Sequence, residues 1–228
     1  DLPLPVHKSS SDDESSQNKN DLPLPIHKSS SNDESSQNKN DLPLPVHKSS
    51  SNDESALSVE ELQILGNITH EERRMDLIKG RNAAKKALCS LGVTGASITR
   101  ERHGKPCVDV PFMNVSISHK NGVGYSIAWK DRAMRGLDVE SIHIDPSVVS
   151  EAFTPKDQID LSDMKEISAA FSLKESYLKA WGTGLFSPLG DVYIVHLDVN
   201  KGYARIHGPC GPATGHIQFD EDLSLIHI

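Results

Sequence analysis

The chain of 228 residues has no run of roughly 18 apolar residues, so nothing in it reads as a membrane span. No signal-peptide pattern stands at Asp1. Cysteine is scarce and odd in number. Cys89, Cys107 and Cys210 are too few and too widely spaced for a disulfide framework, and free thiols in a reducing, cytoplasmic compartment are expected. His207, Cys210 and His216 follow no zinc spacing, and a Gly/Pro turn runs through them. Excess positive charge is missing as well. Of the net −8, residues 1–55 carry −5, from ten acids and five lysines, which leaves −3 on residues 56–228. A nearly neutral globular part argues against a nucleic-acid partner.

What the chain does have, first, is a repeat. A 20-residue unit, Asp-Leu-Pro-Leu-Pro-Val/Ile-His-Lys-Ser-Ser-Ser followed by polar residues, begins at Asp1, Asp21 and Asp41, and the third copy breaks off after Ser55. Each unit holds two Leu and one Val or Ile among Pro, Ser, Asn and charges, too little apolar area to offset chain entropy. Residues 1–55 therefore read as a disordered spacer, extended at Leu-Pro-Leu-Pro and flexible elsewhere. The chain opens on this repeat without an initiator Met, which reads as a piece of a longer polypeptide.

Residues 56–228 carry the patterns of a folded domain. Ser58 and Glu61 form a capping-box signature for a helix toward Leu65, and a second helix is predicted from Glu71 to Ser90, ending at Gly92. Its small-residue run Gly80 to Leu88 suits a close neighbour, and Arg81 and Lys85 make a cationic stripe one turn apart. A short strand follows at Ala96 to Arg102, then turn chemistry at Gly104-Lys105-Pro106. Asn114 to His119 alternates as a strand, and Asn121-Gly122 predicts a hairpin into Val123 to Trp129. Later strands are expected at Val192–Leu197, Tyr203–His207 and His216–Phe219. Pattern and order give an α+β domain with antiparallel sheet. The last residues, Asp222 to Ile228, read as an apolar run with no closing element.

Two stretches carry chemistry. In a strand through Leu137–Ser141, Asp138 and Glu140 project from one face. Adjacent carboxylates repel unless a cation lies between them, and hard oxygen donors without His or Cys favour magnesium; an exposed strand face is the other reading. In a helix through Phe171-Ser-Leu-Lys-Glu-Ser-Tyr-Leu-Lys179, Ile167, Phe171, Leu178 and Trp181 share an apolar arc. Glu175 and Lys179 lie one turn apart on its flank, either as a surface ion pair or as a pair turned into a cleft. Lys174 falls within the apolar arc, so its ammonium must find an anionic partner.

Gly80-Arg81 with its Ala-rich helix, Gly104-Lys105-Pro106, Ile117-Ser118-His119, Gly136-Leu-Asp-Val-Glu140 and Phe171–Lys179 occur in one order. Together they closely resemble the 4'-phosphopantetheinyl transferases of the monomeric, two-lobed type that activates peptide and polyketide synthases. The likeness runs from about Leu57 to Gly184. It implies two pseudosymmetric α/β lobes, about 56–130 and 131–228, with coenzyme A between them and the 1–55 repeats as a linker. It implies that Asp138, Glu140 and Glu175 hold Mg2+, and that Glu175 acts as base toward a carrier-protein serine. Arg81, Lys105 and Pro106 would face the phosphoadenosine end, Ser118 and His119 the phosphates, and Lys179 the diphosphate, with Lys174 in a secondary place. His119 and Lys179 would also stabilise charge on the leaving phosphate. The partner implied is an apo acyl or peptidyl carrier protein, in the same polypeptide or in a complex, with no nucleic acid and no membrane. The family usually places a strand before its first helix, and the chain departs from that pattern, with the disordered repeat abutting Ala56 directly. An inactive carrier-docking domain and a magnesium-dependent phosphodiesterase remain as alternatives.

Overall fold

The computed structural model describes residues 43–228. The disorder expected of the first two repeat copies lies outside the described residues. The third copy is described from residue 43. His47–Ser49 forms strand β1, antiparallel to residues Gly124–Ser126. This corrects the reading of a spacer that reaches Ser55. One repeat cannot build a core, but it can borrow one. Leu44 and Val46 pack onto Tyr125, Ile127, Trp129, Leu137, Val139, Leu223 and Leu225. Lys48 pairs with Asp220, the Asn82 amide donates to the Ser51 and Asp53 carbonyls at 3.1 and 2.9 Å, and Arg74 pairs with Glu54 at 2.5 Å. The open backbone edge of the neighbouring strand supplies the rest.

Helix α1 (Val59–Gly66) starts as expected, with both halves of the Ser58–Glu61 capping box present. Helix α2 (Glu71–Ser90) has its expected bounds. The short strands β2 (Ile98–Arg100) and β3 (Pro106–Val108) pair with each other. Then β4 (Met113–Lys120) and β5 (Val123–Lys130) form a hairpin. Its loop is Asn121-Gly122, both at positive φ (51° and 70°), as a primed two-residue turn requires. The first sheet has the order β1-β5-β4, and α2 crosses it. Gly124 is needed at that crossing, because a Cβ there would lie 2.4 Å from the Lys79 carbonyl.

The second half repeats the plan of a long helix on antiparallel sheet. Strand β6 (Leu137–Ser141) is followed by α3 (Pro146–Ala152), which the sequence reading leaves unassigned although Asp145 caps it and Pro146 opens it. Helix α4 (Met164–Trp181) runs from its Asp163 cap to Gly182 at φ 73°. Strands β7 (Tyr193–Asp198), β8 (Tyr203–Gly208), β9 (Gly211–Asp220) and β10 (Leu223–His227) complete a sheet of order β6-β10-β9-β8-β7. The final apolar run is therefore not a loose end. As β10 it pairs on both sides, with β6 and β9.

Helix α4 is wrapped nearly all round, which its arc of four apolar residues does not convey. Leu173 and Tyr177 sit in the core against Val192, Ile194, Ala204, Ile206 and Ile226. A second face is a stripe of buried serines one turn apart. Ser168 Oγ lies 2.7 Å from Ser224 Oγ and donates to the Ser141 carbonyl, and Ser176 Oγ donates to the Ile226 carbonyl at 2.9 Å. Small side chains that satisfy their own hydroxyls let the helix backbone sit close to β6 and β10. Serines also join the two sheets. Ser116 and Ser118 of β4 accept from the backbone N–H of Leu137 and Val139, at 2.9 and 3.3 Å.

The closest approach is at Gly136, where an added Cβ would lie 2.0 Å from the Ser176 carbonyl oxygen and 2.7 Å from the Ala180 nitrogen. Both are backbone atoms and cannot swing aside. Gly136→Ala is expected to cost about 3 kcal/mol of unfolding free energy by urea denaturation, the upper end for overpacking; a loss under about 1 kcal/mol would show that α4 can shift freely on β6.

Candidate active site

Strand β6 and helix α4 place the carboxylates. Asp138 is 3% exposed, yet each oxygen has partners. Oδ1 accepts from Ser118 Oγ at 3.0 Å and from Lys179 Nζ at 2.5 Å, and Oδ2 accepts from Ser172 Oγ at 2.7 Å. Burial alone would raise its pKa, but the Lys179 charge and these donors prevail and hold it below the usual carboxylate range. Lys179 shifts the other way. Burial would lower its pKa, and the charges of Asp138, Glu175 and Glu140 raise it instead.

Glu175 sits one turn before Lys179, with Oε2 3.8 Å from its Nζ. Its carboxyl is pushed up to about 7, first by burial and then by the negative charge of Asp138, with Glu140 adding to it. Glu140, on the same strand face as Asp138, pairs with Lys120 and accepts from the Ser141 N–H at 2.8 Å. The structure thus brings Asp138, Glu140, Glu175 and Lys179 into one electrostatic cluster. Among the described residues no three His, Cys, Asp or Glu side chains stand preassembled as a metal site.

Beside this cluster opens a cavity of about 690 Å³. Arg81, Lys105, Pro106, His119, Glu175 and Lys179 all line it, as the sequence reading groups them. His119 is half-exposed, its Nε2 3.4 Å from Asp76 Oδ2. Lys105 reaches across to the Ala180 carbonyl at 3.5 Å, linking the first half to the end of α4. Arg81 is 4% exposed, and burial lowers its pKa to about 10 against the opposing pull of Glu61. Arg73, Arg100 and Arg135 line the cavity too, so six lysines and arginines face two carboxylates, Asp76 and Glu175. The sequence reading misses these three arginines. Arg135 directly precedes the Gly136-Leu-Asp motif and Arg100 stands in the strand before Gly104-Lys105, positions that were legible; Arg73 carries no such signal.

Four expected site residues are not on the cavity wall: Asp138 and Glu140 stand behind it in the cluster, and Lys174 and Ser118 turn elsewhere. Lys174 does find an anion, but in the protein interior: its Nζ lies 2.9 Å from Asp157 Oδ2, 2.7 Å from the Ala152 carbonyl and over the Phe153 ring. Both side chains are essentially unexposed, at 0% and 1%. Lys174 clamps the segment after α3 onto α4 and is not a cavity residue. Ser118 is likewise spent inside the fold, between Asp138, Lys179 and the Val139 N–H.

A sequence model of the 4'-phosphopantetheinyl transferase superfamily matches residues 135–222. That span contains Asp138, Glu140, Glu175 and Lys179 and omits Arg81, Lys105 and His119. The chain is similar to the holo-[acyl-carrier-protein] synthase of Staphylococcus epidermidis, 35% identical over 81 residues, covering 31% of this chain and 69% of that protein. It is also similar to the holo-[acyl-carrier-protein] synthase of Limosilactobacillus fermentum, 31% identical over 114 residues, covering 44% and 92%.

Two stability measurements test this geometry. Glu175 has a raised folded-state pKa, so its contribution is intact below pH 4.5 and is lost as pH rises through about 7. In chelator, Glu175→Gln is expected to match the native chain at pH 4 and exceed it at pH 8 by about 2–3 kcal/mol in urea unfolding. A constant difference across that range would refute the crowding of Glu175. Lys174→Met leaves the Asp157 carboxylate buried without its cation, and a loss of about 3–5 kcal/mol is expected at pH 7. A near-neutral result would mean that Asp157 has other means of charge compensation.

Proposed function

The chain belongs to the 4'-phosphopantetheinyl transferase superfamily, and on that premise we propose that it moves the 4'-phosphopantetheine arm of coenzyme A onto a serine of an apo acyl or peptidyl carrier protein, releasing adenosine 3',5'-bisphosphate. One observation carries the reading. The half-buried Glu175 carboxylate lies one turn from Lys179 and beside a lysine-held aspartate, and the cavity it lines is rich in arginine and lysine. The first suits proton removal from a serine hydroxyl at neutral pH, and the second suits a ligand with three phosphates.

In the reaction, the serine Oγ forms a bond to the β-phosphorus of coenzyme A. The bond from that phosphorus to the bridging oxygen breaks, and the bridging oxygen leaves with the bisphosphate. Glu175 accepts the hydroxyl proton. Lys179, with its ammonium kept charged by Asp138 and Glu175, and His119 at the cavity wall donate to the phosphate oxygens as charge builds on the leaving group. Arg81 and Lys105, across the cavity, hold the phosphoadenosine end.

Magnesium fits this donor set. The cluster offers three carboxylates with no nitrogen or sulfur ligand, and hard oxygen donors of this kind suit magnesium. Asp138, Glu140 and Glu175 would hold the ion. It would supply charge neutralisation at the diphosphate oxygens. No helix among the described residues is long and apolar enough to cross a membrane, and we place the enzyme in the cytoplasm as a monomer that works on carrier proteins.

Incubated with coenzyme A, magnesium and an apo carrier protein, the chain should add the mass of the phosphopantetheine arm to the carrier. Glu175→Gln should slow that transfer by about 100-fold or more while the chain stays folded, and chelation should stop it. Carrier binding without mass gain would favour an inactive docking domain, and hydrolysis of phosphodiesters without carrier modification would favour a phosphodiesterase.

A further inference from the structure

The helix that opens the domain carries a carboxylate that the transfer chemistry does not use. Glu61 of α1 is 0% exposed. Its Oε2 accepts from the Ser58 N–H at 2.8 Å and lies 2.6 Å from Lys85 Nζ. Its Oε1 faces Arg81 Nε at 3.5 Å, beyond hydrogen-bond range. Lys85 is otherwise satisfied, donating to the Ala96 carbonyl at 2.5 Å. Arg81 is not: its Nε and Nη2 have no hydrogen-bond partner, although the side chain is nine-tenths buried and borders the cavity.

One carboxylate thus serves two cations a helical turn apart on α2. Side by side and buried, Arg81 and Lys85 would repel and lack compensation without it. Lys85 takes the nearer oxygen. Arg81 keeps only a loose hold on the other, and its charge remains available to an anion in the cavity.

We propose that Glu61 is a positioning residue. It sets the Arg81 guanidinium against the cavity wall so that Arg81 takes a phosphate of coenzyme A, the co-substrate of the transfer proposed above, on which this inference rests. The role concerns holding the co-substrate and not the proton transfer at Glu175.

Glutamine satisfies a capping box as glutamate does, so Glu61→Gln removes the charge and keeps the helix start. In steady-state transfer it should raise KM for coenzyme A tenfold or more, with kcat within about threefold. Ser58→Ala removes the cap hydroxyl and keeps the charge; it should lower the melting temperature and leave KM unchanged. Arg81→Gln should raise KM as Glu61→Gln does, and the double variant should be no worse than Arg81→Gln alone. Additive effects, an unchanged KM in Glu61→Gln or a parallel fall in kcat would each overturn the proposal. Should Glu61→Gln fail to fold, Glu61→Asp, which keeps the charge on a shorter arm, is read in the same way. Calorimetric titration of coenzyme A into the native chain and the Glu61 variant separates the two levels of inference. Equal affinity sinks the Glu61 role alone; tight binding lost in Glu61→Gln, with no transfer by the native chain, supports Glu61 and sinks the transferase reading; no binding by either sinks both.

Discussion

The ion pair between Asp138 and Lys179 is the contact on which the rest of the site depends. Burying a carboxylate costs several kcal/mol unless its lone pairs are filled, and here β4, β6 and α4 each contribute to filling them. Ser118 comes from β4, Ser172 and Lys179 from α4, and Asp138 itself from β6. The pair therefore fixes the angle between the first sheet, the second sheet and the long helix at one point. It also sets the state of its neighbour. Glu175 is one turn from Lys179, and because Asp138 has already claimed that ammonium, little of its charge is left for Glu175. Burial first, and then the negative charge of Asp138, push the Glu175 carboxyl up to about 7.

That arrangement requires close backbone approaches, and the sequence meets the requirement with small polar residues instead of larger apolar ones. Serines 168, 172 and 176 run along the face of α4 toward β6 and β10, and serines 116 and 118 reach from β4 to β6. Each hydroxyl satisfies a group that the close packing would otherwise leave without water. Glycines 124 and 136 stand where two backbones come too near for a Cβ. A leucine seam between the sheets would bury more area but would force them apart, and the carboxylates could not then share one lysine.

Much of this was legible because it is local. Helix ends, the Asn121-Gly122 hairpin and the shared face of Asp138 and Glu140 follow from spacing of two or four residues and from cap chemistry. What failed depends on neighbours that no local pattern names. Lys174 has the right sequence position beside Glu175, but successive helix residues point about 100° apart, and on a helix enclosed on nearly all sides that sends it to Asp157. Ser118 beside His119 alternates inward in β4, where Asp138 waits. The third repeat is the plainest case. Its composition names no partner, and only its position next to α1 brings Leu44 and Val46 within reach of a core built by β5, β6 and β10.

The two sides of the cavity differ in origin, and the difference bears on how the enzyme divides its work. The stretch that matches the superfamily, residues 135–222, supplies Asp138, Glu140, Glu175, Lys179 and Arg135; Arg81, Lys105 and His119, with Asp76, come from the half that precedes it. Glu175 and Lys179, to which the proposed reaction gives proton removal and charge stabilisation, both ride on one helix against one strand. In the proposed reading the cations act at longer range, because a charge in a low-dielectric cavity attracts a phosphate from beyond contact distance. Their own contacts are long as well, 3.5 Å from Lys105 to the Ala180 carbonyl and from Arg81 to Glu61, so each cation keeps charge to offer a phosphate.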